Sequence, residues 1–260
     1  MDGIEVTFEP PLARIRLLRP DKRNAISAAM WGALPEICAS IAARGDALVV
    51  VVEGDGEHFC AGADIAEFER VYRDAAATKA YCDAIQDGLN ALIALDRPTI
   101  AACRGNTIGG GLAFALCCDL RFCADDAVLA ITPARLGLLY GFAETRRLVE
   151  IVGPAAAKDL LFSGRRVSPA EALAMRLIDR LLPAADLGAA VGAYAGELAR
   201  LSQRTIRSSK AAVAMIAGGL LEEDAAFRGL VEGAALGPDF TEGRRAFVEK
   251  RAPRFTDGWT

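Results

Sequence analysis

Several residue types that carry out enzyme chemistry occur together in one short stretch, GEHFCAGADIAEF, from Gly56 to Phe68. It holds the only histidine, His58, one of the seven cysteines, and acids that include Asp64 and Glu67. Such side chains act in acid–base, nucleophilic or metal chemistry. The centre of the stretch, CAGAD, is made of small residues that leave the backbone uncovered. Two sources of chemistry are therefore open, the side chains and the backbone N–H groups.

The cysteine spacing disfavours a metal site and a disulfide framework. The seven cysteines are Cys38, Cys60, Cys82, Cys103, Cys117, Cys118 and Cys123. They form no C-x-x-C pair, and one histidine cannot complete the usual zinc site. An odd number of cysteines in a chain of 260 residues also argues against a disulfide-stapled domain. We predict no metal and interpret most cysteines as small buried apolar residues in a reducing compartment.

Composition and charge exclude several classes of function. Hydrophobic residues make up 53% of the chain and the formal net charge is −4, which gives no support to a nucleic-acid or anionic-membrane partner. The first ten residues, MDGIEVTFEP, lack the apolar centre of an export signal. Apolar stretches fall short of the roughly 18 residues that a transmembrane helix needs. We therefore expect a cytoplasmic protein with neither membrane nor nucleic acid as partner.

Two glycine-rich segments offer backbone chemistry. VVVVEGDGEHFCAGADI and TIAACRGNTIGGGLAFAL are each predicted to run from an apolar strand through glycines into a helix. The N–H groups at a helix N-terminus have no partner within the helix, and the helix dipole adds positive potential. Such a segment binds a phosphate or a developing oxyanion. Neither segment matches the phosphate-loop patterns. Tight turns for helix–strand packing are the other interpretation.

The elements around these segments indicate a mixed α/β fold. IEVTFE and LARIRLL are predicted strands joined by two prolines, and the apolar runs ALVVVVEG, RPTIAACRG and AVLAI are further strands. Ser27 is the predicted N-cap of a helix that Pro35 bends, and a long helical region is predicted from Ile65 to Leu95. GGGLAFALCCDLRFCA predicts a helix followed by a strand. Gly153 predicts a helix end, and the Ala-rich chain after Leu187 predicts helices alone.

Taken together, these segments resemble the crotonase superfamily, the enoyl-CoA hydratase and isomerase family, nearly from end to end. LLRPDKRNAIS resembles the family's segment after the first hairpin, and GDGEHFCAGADIAEF resembles its first oxyanion-hole loop. RPTIAACRGNTIGGGLAFALCCDLRFCADDA resembles its most specific stretch, and FTEGRRAFVEKRAP its C-terminal end. The resemblance implies a spiral of ββα units in residues 1–190. It also implies a helical region in residues 191–260 for oligomerisation and pocket closure, assembled as a homotrimer or a dimer of trimers.

The same resemblance implies roles for individual residues. Ala63 and Gly110 would donate backbone N–H groups to the thioester oxygen and stabilise an enolate or tetrahedral oxyanion. Asp64 is then predicted to cap the helix that begins near Ile65. Coenzyme A enters as part of the substrate, and no separate cofactor is implied. The positions implied to hold the substrate are Lys22, Arg23, Ala25, Ala61, Asp64, Ile65, Gly109, Thr132, Pro133, Phe247 and Lys250. For the basic pair Lys22 and Arg23, a solvated turn is the alternative.

Two departures from the family pattern concern the catalytic acids. Family hydratases carry one glutamate two residues after GGG and a second one four residues before a glycine of the closing segment. Ala113 and Pro133 stand at those positions. Neither side chain transfers a proton, and a positioned acid or base contributes roughly 100- to 10,000-fold. We therefore expect ordinary hydration to be very poor, and the same holds for an isomerase that depends on the second glutamate.

The segment ITPARLGLLYG offers replacements for the missing acids. It resembles the corresponding part of methylmalonyl-CoA decarboxylases, which also have Thr-Pro there and a tyrosine after Leu-Gly, although they carry histidine where Ala63 stands. Decarboxylation needs an oxyanion hole and a desolvating pocket, but no base. Tyr140 is predicted to orient the carboxylate or protonate the carbanion, or else to be a pocket wall. Glu144 is predicted to be a relocated general base, or else an acidic first-turn residue that interacts favourably with the helix dipole.

Three hypotheses for the function follow. The favoured one is a CoA-thioester enzyme with a reaction other than hydration, such as decarboxylation of a malonyl-type CoA. The second is a weak enoyl-CoA hydratase or isomerase that uses Glu144 or a water. The third is a non-catalytic acyl-CoA-binding subunit. Separately, the apolar faces of the Ala-rich helices after Leu187 predict self-association.

Overall fold

A six-stranded sheet and a three-stranded sheet form the centre of the computed structural model, which describes residues 3–255. In chain order the strands are β1 (Ile4–Glu9), β2 (Leu12–Leu17), β3 (Val49–Gly54), β4 (Thr99–Cys103), β5 (Asn106–Ile108), β6 (Leu120–Ala124), β7 (Val128–Ala130), β8 (Arg166–Val167) and β9 (Arg180–Leu182). The large sheet has the order β1-β2-β3-β4-β6-β9 and is parallel except at the β1–β2 hairpin. The small sheet has the order β5-β7-β8. The strands predicted from apolar runs are confirmed, whereas β5, β8 and β9 were not predicted.

Helices pack on both sides of the large sheet. In chain order they are α1 (Ala28–Ala42), α2 (Phe68–Val71), α3 (Ala75–Ile93), α4 (Gly110–Leu116), α5 (Pro133–Leu136), α6 (Phe142–Ser163), α7 (Pro169–Ala174), α8 (Leu187–Ala199), α9 (Gln203–Ala217), α10 (Ala225–Ala235) and α11 (Pro238–Val248). Ser27 caps α1 as predicted, because its hydroxyl accepts from the Met30 N–H at 3.3 Å. Within residues 3–255, we find no helix with both the length and the apolar character needed to cross a membrane.

The chain between Ile65 and Leu95 is the helical region that the sequence predicted, and it consists of three segments. A 3-10 turn and the short α2 come first, and α3 begins only after Asp74. The Asp74 carboxylate accepts from the Ala77 N–H at 2.8 Å and so caps a new helix. By contrast, Gly153 interrupts α6 at φ 76°, where a helix end was predicted.

The chain repeats one path between the two sheets. After β2 it runs through Ile26, which pairs with Ala63, and after β3 it runs through Cys60, which pairs with Thr107 of β5. In the same way β4 leads to β5 and β6 leads to β7. Helices α1 and α4 follow two of these short segments. This path is the predicted spiral of ββα units, and it brings residues 60–64 beside residues 107–111.

Both faces of the large sheet are buried, which explains the unbroken apolar run of β3. Val50 and Val52 belong to the main core, whereas Val49 and Val51 pack with Val191 of α8. Residues 190 and 191, where the two predicted regions meet, lie inside α8, which packs on the sheet. The division of the chain into these two regions stays a prediction. Apolar side chains of α9–α11 and the turn before α11 remain exposed, among them Val213, Ile216, Leu236, Phe240 and Phe247. Their role in self-association stays a prediction.

Candidate active site

Two glycines with positive φ place unpaired backbone N–H groups close together. Gly62 (φ 107°) precedes Ala63, and Gly109 (φ 55°) precedes Gly110 at the start of α4. Neither the Ala63 N–H nor the Gly110 N–H has an acceptor within residues 3–255. A methyl group built on Gly110 would lie 3.5 Å from the Ala63 nitrogen, so the two peptides nearly touch. Two such donors at one place can bind a developing oxyanion.

The pairing register of the first loop (residues 60–64) leaves the Ala63 N–H unused. The Ile26 N–H donates to the Gly62 carbonyl at 2.8 Å, and the Asp64 N–H donates to the Ile26 carbonyl at 2.9 Å. In a parallel pair of this kind, the residue between the two bonded ones turns its own N–H to the other side. The bridge to Ile26 therefore fixes the loop and directs the Ala63 N–H away from the pairing.

Tyr140 holds the second loop (residues 107–111). Its buried hydroxyl donates to the Gly109 carbonyl at 2.6 Å. Burial, and after it the nearby Glu144 carboxylate, raise the pKa of Tyr140 well above its ordinary value. The predicted roles for this hydroxyl, orienting a substrate carboxylate, protonating a carbanion or forming a pocket wall, stay predictions. Here the hydroxyl is a neutral donor that is already bonded to the backbone.

Glu144 is a buried acid in the first turn of α6, and its side chain lines the same cavity. The residue is 7% exposed. Burial raises the pKa of its carboxyl group, and the N–H groups of Glu144 and Gly141 only partly offset the rise. A carboxyl group with a raised pKa in a cavity is suited to general acid–base catalysis. The two predicted roles of Glu144, a relocated base or an acid that favours the helix dipole, both stay predictions.

One cavity of about 120 Å³ joins these groups. Among the predicted site residues, those that line it are Ala61, Ala63, Ile65, Gly109, Gly110, Thr132, Pro133, Tyr140 and Glu144. Sequence reasoning missed the rest of the lining, which is Trp31, Gly62, Phe68, Tyr72, Tyr81, Ile85, Leu136, Leu138 and Leu139. Tyr81 and Ile85 stand one helical turn apart on α3, a spacing that marks a shared face. Trp31 has no such local signal, because the packing of α1 on α3 brings it to the cavity.

The two positions where family hydratases carry glutamates differ in their surroundings. Pro133 lines the cavity from the first position of α5. Ala113 is 1% exposed inside α4 and is not part of the cavity lining. Only the Pro133 position therefore offers direct access to a molecule in the cavity.

Asp64 connects the first loop to the basic segment before α1. Its carboxylate accepts from Arg19 at 2.7 Å and from Lys22 at 3.0 Å. It also caps the 3-10 turn that follows, as predicted, by accepting from the Ala66 N–H at 3.2 Å. Burial alone would raise the pKa of Asp64, but the bonds from Arg19 and Lys22 outweigh it and lower the pKa. Asp64 therefore organises the loop as a paired anion.

The remaining predicted substrate-binding residues lie outside the cavity lining. Arg23 is exposed, and its carbonyl accepts from the Ala61 N–H at 2.9 Å, which ties the basic segment to the first loop. The Ala25 carbonyl accepts from the Arg19 guanidinium at 2.8 Å. Phe247 and Lys250, at the end of α11, are exposed and do not reach the cavity within this chain. Their predicted contacts with CoA stay predictions.

His58 and the cysteines have structural positions. The His58 Nδ1 accepts from the Asn106 N–H at 3.2 Å, outside the cavity. All the cysteines are free, and only Cys82 is exposed, which agrees with the predicted burial of most of them. Burial raises the pKa of the Cys60 thiol to about 12. In the described part of the chain, no group of three or more His, Cys, Asp or Glu side chains could hold a metal ion.

Known proteins are similar to this chain in both sequence and fold. Residues 7–258 match the family model described as enoyl-CoA hydratase/isomerase. The Mycobacterium bovis protein named probable enoyl-CoA hydratase echA8 is 34% identical over 251 residues, which is 93% of each chain. A crystal structure from Hyphomonas neptunium, provisionally named an enoyl-CoA hydratase/isomerase family protein, matches with a TM-score of 0.95, 38% identity and 98% coverage of both chains. A provisionally named enoyl-CoA hydratase from Thermobifida fusca, in complex with CoA, matches with a TM-score of 0.78, 32% identity and 95% coverage of both chains.

Proposed function

The chain belongs to the enoyl-CoA hydratase/isomerase family, and on that premise we propose that it moves a proton on an acyl-CoA thioester, with Glu144 as the acid–base group. The thioester oxygen accepts hydrogen bonds from the Ala63 and Gly110 N–H groups. Each such donor is worth roughly 3–4 kcal/mol in acyl-transfer enzymes. CoA enters as part of the substrate.

One observation carries this proposal. Among the lining residues that the structure describes, Glu144 is the only acid, and it shares the cavity with the two unpaired N–H groups. A protein that merely binds acyl-CoA gains nothing from a desolvated carboxyl group, because its burial disfavours the charged form. The arrangement therefore favours an enzyme over a non-catalytic subunit.

A 1,3-proton shift in a 3-enoyl-CoA is the reaction that best suits a single carboxylate. Glu144 takes a proton from C2, and the electron pair moves onto the thioester oxygen between the two donors. The same carboxyl group then returns the proton at C4, so the double bond moves and no atom is gained or lost. Hydration, with Glu144 activating a water, uses the same base. It also requires an acid that protonates C2, and the described lining residues contain no second acid.

Decarboxylation of a malonyl-type CoA is the second candidate, supported by the absence of acids at Ala113 and Pro133. The cavity weighs against it in two ways. The substrate carboxylate would enter beside Glu144 without a cation among the described lining residues. The Tyr140 hydroxyl, the predicted partner of that carboxylate, is already bonded to Gly109.

An activity screen with 3-enoyl-, 2-enoyl- and malonyl-type CoA thioesters tests these candidates. We expect isomerisation by the wild type and its loss in Glu144→Gln. Release of CO2 that persists in Glu144→Gln would replace the proposal by decarboxylation, and binding without turnover would replace it by a binding subunit.

We also propose the homotrimer, or dimer of trimers, that the sequence resemblance implies. Leu236, which precedes α11, and Phe247 at its end are 87% and 85% exposed, which supports a covering partner. A stable monomer in sedimentation at micromolar concentration would contradict it.

A further inference from the structure

Asn24 is a polar residue without exposed surface, close to the ends of β2 and β3. Its backbone has φ 59°, a left-handed conformation that asparagine adopts more readily than most other residues. The side-chain oxygen accepts from the Arg19 N–H at 2.9 Å. The side-chain amide donates to the carbonyl of Asp55 at 2.9 Å and to that of His58 at 2.6 Å. Asn24 therefore ties the segment that follows β2 to the segment that follows β3.

Asparagine is the residue type that these three partners require. They need one acceptor and two donor hydrogens, and the asparagine side chain supplies both. Aspartate has the same shape, but its carboxylate only accepts hydrogen bonds and would face two carbonyl oxygens. Gly54 leaves the room for the amide, because a methyl group built on Gly54 would lie 2.6 Å from the Asn24 Nδ2 atom. Most replacements of Asn24 therefore leave these carbonyls without their donor.

The residues that follow Asn24 carry the pairing that directs the Ala63 N–H. Ile26 bonds to Gly62 and to Asp64, the two neighbours of Ala63. The Asn24 side chain adds a second attachment, because its bonds reach the chain that leads into the first loop. Two attachments fix the direction of the loop as well as its position. Since a displacement of about 1 Å can cost about 100-fold in rate, this direction matters for a donor that must point at one oxygen.

We propose that Asn24 is a positioning residue, which holds Ile26 in register with the first loop and so aims the Ala63 N–H at the thioester oxygen. Asn24 is not among the residues that line the cavity, so it acts through the loop and not on the substrate. Its bonds are made to the chain before the donor, whereas Tyr140 bonds to the peptide group of the second donor. This inference rests on the proposed function, because it assumes that the thioester oxygen accepts from Ala63.

The test measures how strongly the protein holds the carbonyl oxygen of a bound thioester. The probes are butyryl-CoA and S-butyl-CoA, a thioether of the same chain length that lacks this oxygen. The ratio of their calorimetric dissociation constants isolates the bonds to the oxygen, because contacts with CoA and the alkyl chain are common to both. We expect the wild type to bind the thioester about tenfold more tightly. In Asn24→Gly, which adopts a positive φ readily, the ratio should fall to about threefold or less, and the S-butyl-CoA constant should change by less than about twofold.

Two further variants separate positioning from general stability. Asn24→Asp keeps the shape of the side chain and removes both donors, so it should lower the ratio as well, and it keeps the test valid if Asn24→Gly does not fold. Thr99→Val is the matched control, because Thr99 is buried and its hydroxyl bonds to Asp119, away from the cavity. This control should lose stability but keep the full ratio. A wild-type preference that survives in both Asn24 variants overturns the inference alone. Equal affinity of the wild type for the two probes would overturn the proposed binding of the thioester oxygen, and the inference with it.

Discussion

The hydroxyl of Tyr140 and the carbonyl oxygen of Gly109 are 2.6 Å apart, and that carbonyl belongs to the same peptide group as the Gly110 N–H. A hydrogen bond accepted by a peptide oxygen polarises the N–H on the other side of the peptide. The bond therefore both aligns and strengthens the donor proposed for the thioester oxygen. It also ties the segment between α5 and α6 to the loop of residues 107–111.

Removing this bond should weaken catalysis more than binding. In Tyr140→Phe we expect kcat to fall about five- to tenfold, the effect of roughly 1 kcal/mol, with little change in KM. Steady-state kinetics on the substrate found in the screen measures both constants, and Tyr194→Phe serves as the control, because Tyr194 packs on Phe122, away from the cavity. A loss above about 1,000-fold with unchanged binding would instead identify Tyr140 as a direct proton donor.

A methyl group at Gly110 should fill the space where the oxygen is proposed to bind. Gly110 does not have a positive φ, so alanine fits its backbone, but the methyl group would lie 3.5 Å from the Ala63 nitrogen. We expect kcat/KM for Gly110→Ala to fall about 100- to 1,000-fold, as for the loss of an oxyanion-hole donor. Gly192→Ala on α8 adds the same methyl group where no atom lies within 4 Å. Equal activity of the two variants would contradict the proposed oxygen site.

The pH dependence of activity should follow Glu144. A base must be ionised to accept a proton, so kcat/KM should decrease as the pH falls through the pKa of Glu144. Burial raises that pKa above its ordinary 4.5, and the acid limb should therefore have its midpoint above pH 4.5. Glu150→Gln, a neighbour on α6, should leave the profile unchanged. A flat profile between pH 4.5 and pH 8 would contradict a buried catalytic carboxylate.

Glu144 should also reduce the stability of the fold at neutral pH. Because its pKa is raised in the folded state, the folded protein binds more protons than the unfolded chain, and stability falls as the pH rises through this range. Glu144→Gln should therefore increase the free energy of unfolding at pH 7, and the gain should vanish below about pH 4.

The matched variant Glu150→Gln should change stability in the opposite direction. Bonds from Arg146 and Arg147 outweigh burial and lower the pKa of Glu150, so its charge stabilises the fold above the unfolded pKa. Denaturant melts of the two variants at pH 4 and pH 7 compare them directly. A Glu144→Gln protein that is less stable than the wild type at pH 7 would refute the assigned environment.

Placing an acid at Pro133 should create hydration activity. Pro133 lines the cavity at the first position of α5. The N–H that glutamate would bring to this position needs no partner within the helix, so the substitution should cost little stability. We expect Pro133→Glu to raise hydration of a short 2-enoyl-CoA about 100-fold over the wild type. Pro169→Glu, at the first position of α7, is the control. Strong hydration by the unaltered protein would show that no second acid is missing.

Local patterns in the sequence predicted the two glycine turns, whereas the pairing of Ala63 with Gly110 as donors came from the family resemblance and stays a prediction. Gly62 and Gly109 marked turns beside apolar strands, and the Ser27 cap and the β3 run were visible in the same way. The helical region from Ile65 to Leu95 was predicted as well, but its division at the Asp74 cap was not. The aromatic part of the cavity lining could not be predicted, since Trp31 meets Tyr81 only through the packing of α1 on α3. The partner of the Tyr140 hydroxyl likewise depends on tertiary structure.

The proposed use of backbone N–H groups at Ala63 and Gly110 affects how such a protein changes over generations. Every residue except proline carries a main-chain N–H, so a point mutation at Ala63 seldom deletes its donor. Proton transfer, in contrast, depends on single side chains that one mutation can remove or introduce. A site built in this way can therefore exchange its acids and still bind the same carbonyl group, so that different reactions can arise on one scaffold.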